Sequence, residues 1–243
     1  MHRFFVEKEN IEKDLVVLHG QDVSHIRTVL RLTRGDKIEV LDGEGRLYLV
    51  SLVDLKGKSV KGEILSSQKI DTESPLKIHL GQSLIKGNGF DVVIRKAVEL
   101  GVAYVSPLIT DRTVAKSDNL KKLVRWKKIA EESSKQCGRS TLPVISEEFS
   151  NLEKFCQQTN NSDLKLIFWE EEKGTGLSDI KPEKTPGSAS VLIGPEGGFT
   201  REEVETARDF GFQSIGLGPR ILRAETAPLV VLSLLQAAWG DLN

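Results

Sequence analysis

Along the first third of the chain, apolar residues come in short runs separated by turn-forming residues, the pattern of strands in a small β unit. Residues 15–18, 37–41, 46–53 and 60–65 are such runs. Asp42-Gly43-Glu44-Gly45, between the second and the third, predicts a hairpin turn. One helix is expected among them, over 22–30, because Val23, Ile26, Val29 and Leu30 share a face. Short strands at regular spacing predict a small barrel. The polar stretch 66–75, ended by Pro75, predicts a linker, which sets the expected domains at 1–70 and 75–243.

From Leu76 onward the rhythm changes to alternating strand and helix. Strands are expected at 76–80, 102–105, 144–145, 164–169, 190–193 and 214–217. Helices are expected at 90–100 and 118–137, then after Ser150, after Thr200 and after Thr226. Ser150 with Glu153, and Thr200 with Glu203, have capping-box spacing, while Pro228 suits the first turn of the last helix. This alternation predicts an α/β domain with a mainly parallel sheet covered by helices on both faces.

Charge and composition narrow the function classes. The 243 residues carry 34 Lys plus Arg against 35 Asp plus Glu, a net charge of −1, which excludes a polybasic nucleic-acid coat. Any RNA contact must therefore be a focused patch. Two cysteines and four scattered histidines offer no metal-ligand spacing, so no metal is expected. The N-terminus turns charged within its first residues, and the longest apolar stretch, 227–239, is far shorter than the ~20 residues that span a bilayer. A soluble cytoplasmic protein is expected.

Two loops follow strands of the parallel sheet, where ligands bind in such folds. Gly194-Pro195-Glu196-Gly197-Gly198 lacks both the dinucleotide fingerprint and the phosphate-loop Lys-Ser/Thr pair. Glu196 would also repel a phosphate, which disfavours a dinucleotide oxidoreductase. A cofactor without phosphates, such as S-adenosylmethionine, suits the loop. Spacing alone is equally compatible with a tight strand-to-helix connection. The second loop, 218–227, places Ile221 and Leu222 beside Arg223 and Glu225, as in a base pocket or an ordinary surface loop.

Taken together, Ile193-Gly194-Pro195-Glu196-Gly197-Gly198-Phe199-Thr200 and Leu217-Gly218-Pro219-Arg220-Ile221-Leu222-Arg223-Ala224-Glu225-Thr226-Ala227 resemble the RsmE-type ribosomal RNA methyltransferases. These are small-subunit rRNA uridine-N3 methyltransferases of the SPOUT superfamily. Val29-Leu30-Arg31 with Gly35-Asp36, the block 96–102, Arg125-Trp126 and Gln136-Cys137-Gly138-Arg139 extend the resemblance over essentially the whole chain. Ala224 stands where the family pattern has Thr.

The resemblance implies an N-terminal PUA-like β-barrel and a SPOUT methyltransferase domain with a C-terminal trefoil knot. It also implies homodimers, and S-adenosyl-L-methionine held by Gly194, Pro195, Glu196, Gly197, Leu217, Gly218, Ile221, Leu222, Arg223, Thr226 and Ala227. The expected activity is methylation of N3 of a uridine in 16S rRNA, the small-subunit rRNA.

That chemistry needs a proton acceptor for N3 and a fixed positive group for the anion that forms. Arg223 is the expected electrostatic residue, and Glu225 or Glu196 the expected base. Between Thr110 and Thr141 there are nine Lys or Arg against four Asp or Glu. Arg112, Lys122, Arg125, Gln136 and Arg139 there, with Arg3, Arg27, Arg31 and Arg34 before them, are the expected RNA contacts. A solvated helix face explains the charges around Lys122 and Arg125 equally well. A non-catalytic RNA-binding or ribosome-assembly protein with the same fold is the alternative, and S-adenosylmethionine binding by calorimetry separates the two.

Overall fold

The computed structural model describes residues 1–114 and 120–242; the expected helix start at residue 118 lies outside them. The chain forms two compact units, Met1–Glu73 with Ser134–Leu142, and Ser74–Ser133 with Pro143–Asn243.

In the first unit, β1 (Arg3–Phe5), β2 (Ile11–Glu12), β3 (Leu15–His19), β4 (Lys37–Leu41), β5 (Arg46–Asp54) and β6 (Ser59–Lys69) form one sheet ordered β1-β4-β5-β6-β3-β2. β1 runs parallel to β4, and the other pairs are antiparallel. Instead of a barrel closed by hydrogen bonds, the sheet is curled and open: among the described residues no ladder joins β1 to β2. Register shifts at Leu49/Val50 and Leu52/Asp54 bend β5. Phe4, Val16, Leu18, Ile38, Val50 and Val60 fill one common core. β1 and β2, three and two residues long, are too short to show an alternation and escaped the sequence reading.

The expected helix over 22–30 is two pieces, α1 (Gln21–Ser24) and a π-turn over His25–Val29. The widened turn carries Val29 out to 68 % exposure, so it does not share the buried face of Ile26. Arg31 follows in the left-handed conformation, at φ +54°.

The expected linker over 66–75 is shorter: its first part is strand, and the division between the units falls after Glu73. β6 runs to Lys69, opposite Arg46. Beyond it, Glu73 accepts the Arg139 guanidinium and, through Oε1, the Ser140 and Thr141 amides, both at 3.2 Å. Burial disfavours ionised Glu73, but the hydrogen bond and charge of Arg139 outweigh it and hold the carboxyl below its ordinary value.

The second unit contains β7 (Lys77–Ser83), α2 (Gly89–Glu99), β8 (Tyr104–Leu108), most of α3 (Leu120–Cys137), β9 (Val144–Ile145), α4 (Leu152–Gln158), β10 (Leu164–Phe168), β11 (Ser188–Ile193), α5 (Arg201–Asp209), β12 (Gln213–Ile215) and α6 (Ala227–Trp239). Its sheet is ordered β12-β10-β11-β7-β8-β9, and every pair is parallel. Successive side chains explain the continuous apolar runs. Leu166 and Phe168 pack with Val93, Ala97, Val231 and Leu235 of α2 and α6. Ile167 between them packs with Phe155, Val204 and Ala207 of α4 and α5. The Thr200–Glu203 capping box forms as expected. At α4 the cap is Asn151, whose side chain accepts from the Lys154 amide at 2.8 Å; Ser150 is buried and bridges Leu108.

Candidate active site

Loops from the carboxyl ends of β7, β10, β11 and β12 converge on a cavity of about 680 Å³, within the roughly 300–1,000 Å³ of small-molecule sites. The turn after β11 supplies Gly194 to Gly198, and the loop after β12 supplies Leu217 to Glu225. Lys86 and Gly89 enter from beyond β7; Phe168, Trp169, Glu170 and Lys173 enter from the end of β10.

The glycine turn is tight because nothing larger fits. Gly198 has φ +69°, and a Cβ there would fall inside the Glu170 carboxylate. A Cβ on Gly194 would lie 3.1–3.2 Å from the Gly198 and Phe199 backbone. The Gly198 amide closes the turn onto Pro195 O at 3.0 Å. Outside the turn, Arg112 Nη1 donates to Gly197 O at 2.8 Å, and the Lys86 amide donates to Glu196 Oε1 at 2.7 Å.

The loop after β10 is tied to β12. Glu172 Oε2 accepts from Ser214 Oγ at 2.5 Å and Oε1 from the Gly174 amide at 2.9 Å. The Ser214 hydrogen bond is the main reason the Glu172 carboxyl lies below its ordinary value. Gly216 passes so close that a Cβ there would collide with Glu172 O, and its amide donates to Thr175 O at 2.9 Å.

Arg223 O accepts the Thr226 and Ala227 amides at 2.8 and 3.0 Å, turning the loop into α6. The Arg223 and Glu225 side chains, 85 % and 37 % exposed, stand 4.0 Å apart on the rim. An exposed pair at that distance contributes little to stability, so both side chains are available to a ligand.

Every expected cofactor residue lines the cavity except Thr226, which lies at the N-terminus of α6, facing solvent. Lys86, Gly89, Phe168, Trp169, Glu170 and Lys173 also line the cavity and were not expected there; Gly87 and Gly89 after β7, and Gly174 and Gly176 after β10, signal turns, but only the sheet order brings these loops to it.

The expected RNA contacts separate into engaged and exposed groups. Arg139 is 7 % exposed and bound to Glu73. Arg3 is paired with Glu39 at 2.8 Å, and Arg27 donates to Gly57 O and Ser59 O at 2.7 and 2.9 Å. In the second unit Arg125 binds Asp91, a buried carboxylate that also accepts from Trp126 Nε1 at 3.0 Å. Arg31, Arg34 and Gln136 are exposed, while Lys122 is half-buried.

The donor set suits S-adenosylmethionine. Phe168, Ile193, Leu217 and Leu222 give apolar walls for an adenine. The glycine turn presents bare backbone, and Glu170, Glu196 and Glu225 tolerate a sulfonium where they would repel a phosphate chain.

A parallel sheet with a ligand cavity at its strand ends, joined to a small curled sheet, is the architecture of an RNA methyltransferase with a PUA domain. Family models agree: an RNA methyltransferase domain matches residues 72–236, and an RNA methyltransferase PUA domain matches 18–65. The chain belongs to the ribosomal RNA small subunit methyltransferase E family. It is 36% identical over 235 residues to the Mesomycoplasma hyopneumoniae member, covering 96% of this chain and 98% of that one. To the Bacillus subtilis member it is 32% identical over 246 residues, covering 97% and 96%.

Two solved structures share the fold over nearly full length. The Neisseria gonorrhoeae member, bound to S-adenosyl methionine, superposes with a TM-score of 0.90 at 34% identity, covering 100% of both chains. A putative Legionella pneumophila methyltransferase in complex with the same cofactor superposes with a TM-score of 0.89 at 35% identity, covering 98% of both.

Proposed function

We propose that this protein transfers a methyl group from S-adenosylmethionine to N3 of one uridine in small-subunit ribosomal RNA. The observation that carries the reading is the cavity at the β7, β10, β11 and β12 strand ends, with the loosely paired Arg223 and Glu225 on its rim. When bound, the cofactor supplies a methyl group on a sulfonium, which departs as a neutral thioether.

The chain's own residues do the rest. The Gly194–Gly198 turn and the Leu217–Leu222 loop bind and orient the cofactor. Glu225 accepts the N3 proton of the uracil, and the N3 electron pair freed by that transfer forms the bond to the methyl carbon. The negative charge spreads onto the flanking carbonyl oxygens, where the Arg223 guanidinium donates to one of them. Glu225 is preferred to Glu196 as the base because one Glu196 oxygen already holds the Lys86 amide.

Exposed Arg31, Arg34 and Gln136 of the first unit, and half-buried Lys122 of the second, are the RNA contacts in this reading. The C-terminal segment is read as a trefoil knot, as the resemblance to the SPOUT superfamily implies. A homodimer belongs to the same reading, supported by exposed Leu234 and Ala237 on α6, and is checked by light scattering. Work in the cytoplasm belongs to the same reading, since its substrate is ribosomal RNA. Among the described residues no helix is long and apolar enough to cross a membrane.

Mapping modified uridines in rRNA from cells lacking the protein tests the function. Loss of a single 3-methyluridine is expected, and an unchanged map would sink the reading.

A further inference from the structure

We propose that Glu203 is a positioning residue for the cofactor turn, acting through Asp111 and Arg112 on Gly197; this rests on reading the cavity as the S-adenosylmethionine site. Glu203 is 8 % exposed at the start of α5. A capping box uses one of its oxygens: Oε2 accepts from the Thr200 amide at 2.9 Å. The other oxygen does something the box does not require. Oε1 accepts from the Asp111 amide at 2.9 Å, across 92 residues of sequence, in the segment that leaves β8.

That segment bears on the cofactor turn. Arg112, the next residue, donates from Nη1 to Gly197 O at 2.8 Å, and a Cβ on Gly197 would lie 3.2 Å from Arg112 Cβ. Thr110 fixes the other side of Asp111: its amide donates to Thr113 Oγ1 at 2.9 Å and its hydroxyl to Ser83 Oγ at 3.2 Å. One line of contacts therefore runs from Glu203 to the Asp111 amide, along the chain to Arg112, and onto the Gly197 carbonyl. A turn with glycine at 194, 197 and 198 has few side chains of its own to fix its shape. External rivets must supply that rigidity, and this is one of them.

The carboxylate is chemically suited to the task because it faces two backbone N–H donors. A glutamine has one acceptor oxygen and would turn its NH₂ toward the second donor.

The test is calorimetric titration of S-adenosylmethionine, without RNA, into the parent, Glu203→Gln, Arg112→Ala, the double variant and Thr200→Ala. Glu203→Gln and Arg112→Ala should each weaken binding about 10- to 150-fold, the span of one charge-assisted hydrogen bond. The double variant should bind no more than about twofold worse than the weaker single, because both substitutions break one line of contacts. Thr200→Ala removes the hydroxyl of the same cap while leaving the Asp111 contact in place. It should lower the melting temperature yet keep affinity within about twofold. Arg112 is exposed, so its variant folds and reports even where Glu203→Gln does not. Parental affinity in Arg112→Ala, or an equal loss in Thr200→Ala and Glu203→Gln, overturns the inference. A parent that fails to bind the cofactor would bring down the reading of the cavity and this inference together; a binding parent with unaffected variants brings down the inference alone.

Discussion

The Lys86 amide donates to Glu196 Oε1 at 2.7 Å, so the one carboxylate inside the glycine turn holds the loop after β7 in place. This contact divides the acidic residues of the cavity by task. Glu196 Oε1 is occupied as an acceptor, whereas Glu225 stands on the rim with, among the described residues, a loose partner in Arg223, 4.0 Å away. In the proposed mechanism this favours Glu225, on the rim, over Glu196 as the base.

Arg223→Ala should bind S-adenosylmethionine within a few-fold of the parent and methylate RNA at least about 100-fold more slowly. Single-turnover methyl transfer at saturating cofactor measures this. Near-parent turnover would reduce Arg223 to an ordinary loop charge.

Glu225→Gln should lose activity most severely at low pH and recover partly as pH rises, because uridine then ionises without help. The pH profile of kcat decides the point. A defect of constant size across the profile would remove Glu225 from the base role.

Arg31→Ala with Arg34→Ala should flatten the slope of log RNA affinity against log salt by about 1–2 units, at about 0.7 for each phosphate no longer neutralised. Arg139→Ala should act differently. Its partner Glu73 would be left partly buried with only the Ser140 and Thr141 amides among the contacts described above, costing about 1–3 kcal/mol in chemical denaturation. Equal effects of the two on the salt slope would contradict the division between exposed and engaged arginines.

His79 predicts an acid limit to stability. Burial lowers its pKa from 6.5 to about 4, and Nε2 contacts Ser106 Oγ at 2.8 Å. Between those values the unfolded chain binds the proton and the native protein does not, so stability falls as pH drops from 6.5 toward 4. The full shift corresponds to at most about 3 kcal/mol, and less because the ring is only partly covered. Urea denaturation at a series of pH values measures the loss, and His79→Leu should flatten that part of the curve. An unchanged slope in the variant would place the acid sensitivity elsewhere.

Much of this molecule could be read without coordinates because its signals are local. Asp42-Gly43-Glu44-Gly45 turns β4 into β5, with Asp42 Oδ1 accepting from the Glu44 and Arg46 amides at 2.8 and 3.0 Å. Thr200 and Glu203 cap α5 as their spacing requires. Where local signals were absent or misleading, the reading failed. β6 continues through Ser66, Ser67 and Gln68 because these residues pair with β5, although their polarity reads as a linker. Val29 looks like part of a buried helical face until the π-turn rotates it outward.

The sequence by itself determined the two-part architecture, the parallel α/β rhythm and the two loops that line the cavity. Each depends on hydrophobic period, cap spacing or glycine placement within a few residues. Only the tertiary structure decided which distant loops complete the cavity, because strand order is set by packing and not by succession along the chain. It put Lys86 and Trp169 beside the glycine turn. It also decided which charges are available. Arg139 and Arg31 are indistinguishable as letters, yet one meets Glu73 in a partly buried pair and the other meets water. The electrostatic role of an ionised side chain follows from its partner and its solvent, and both are fixed only when the chain folds.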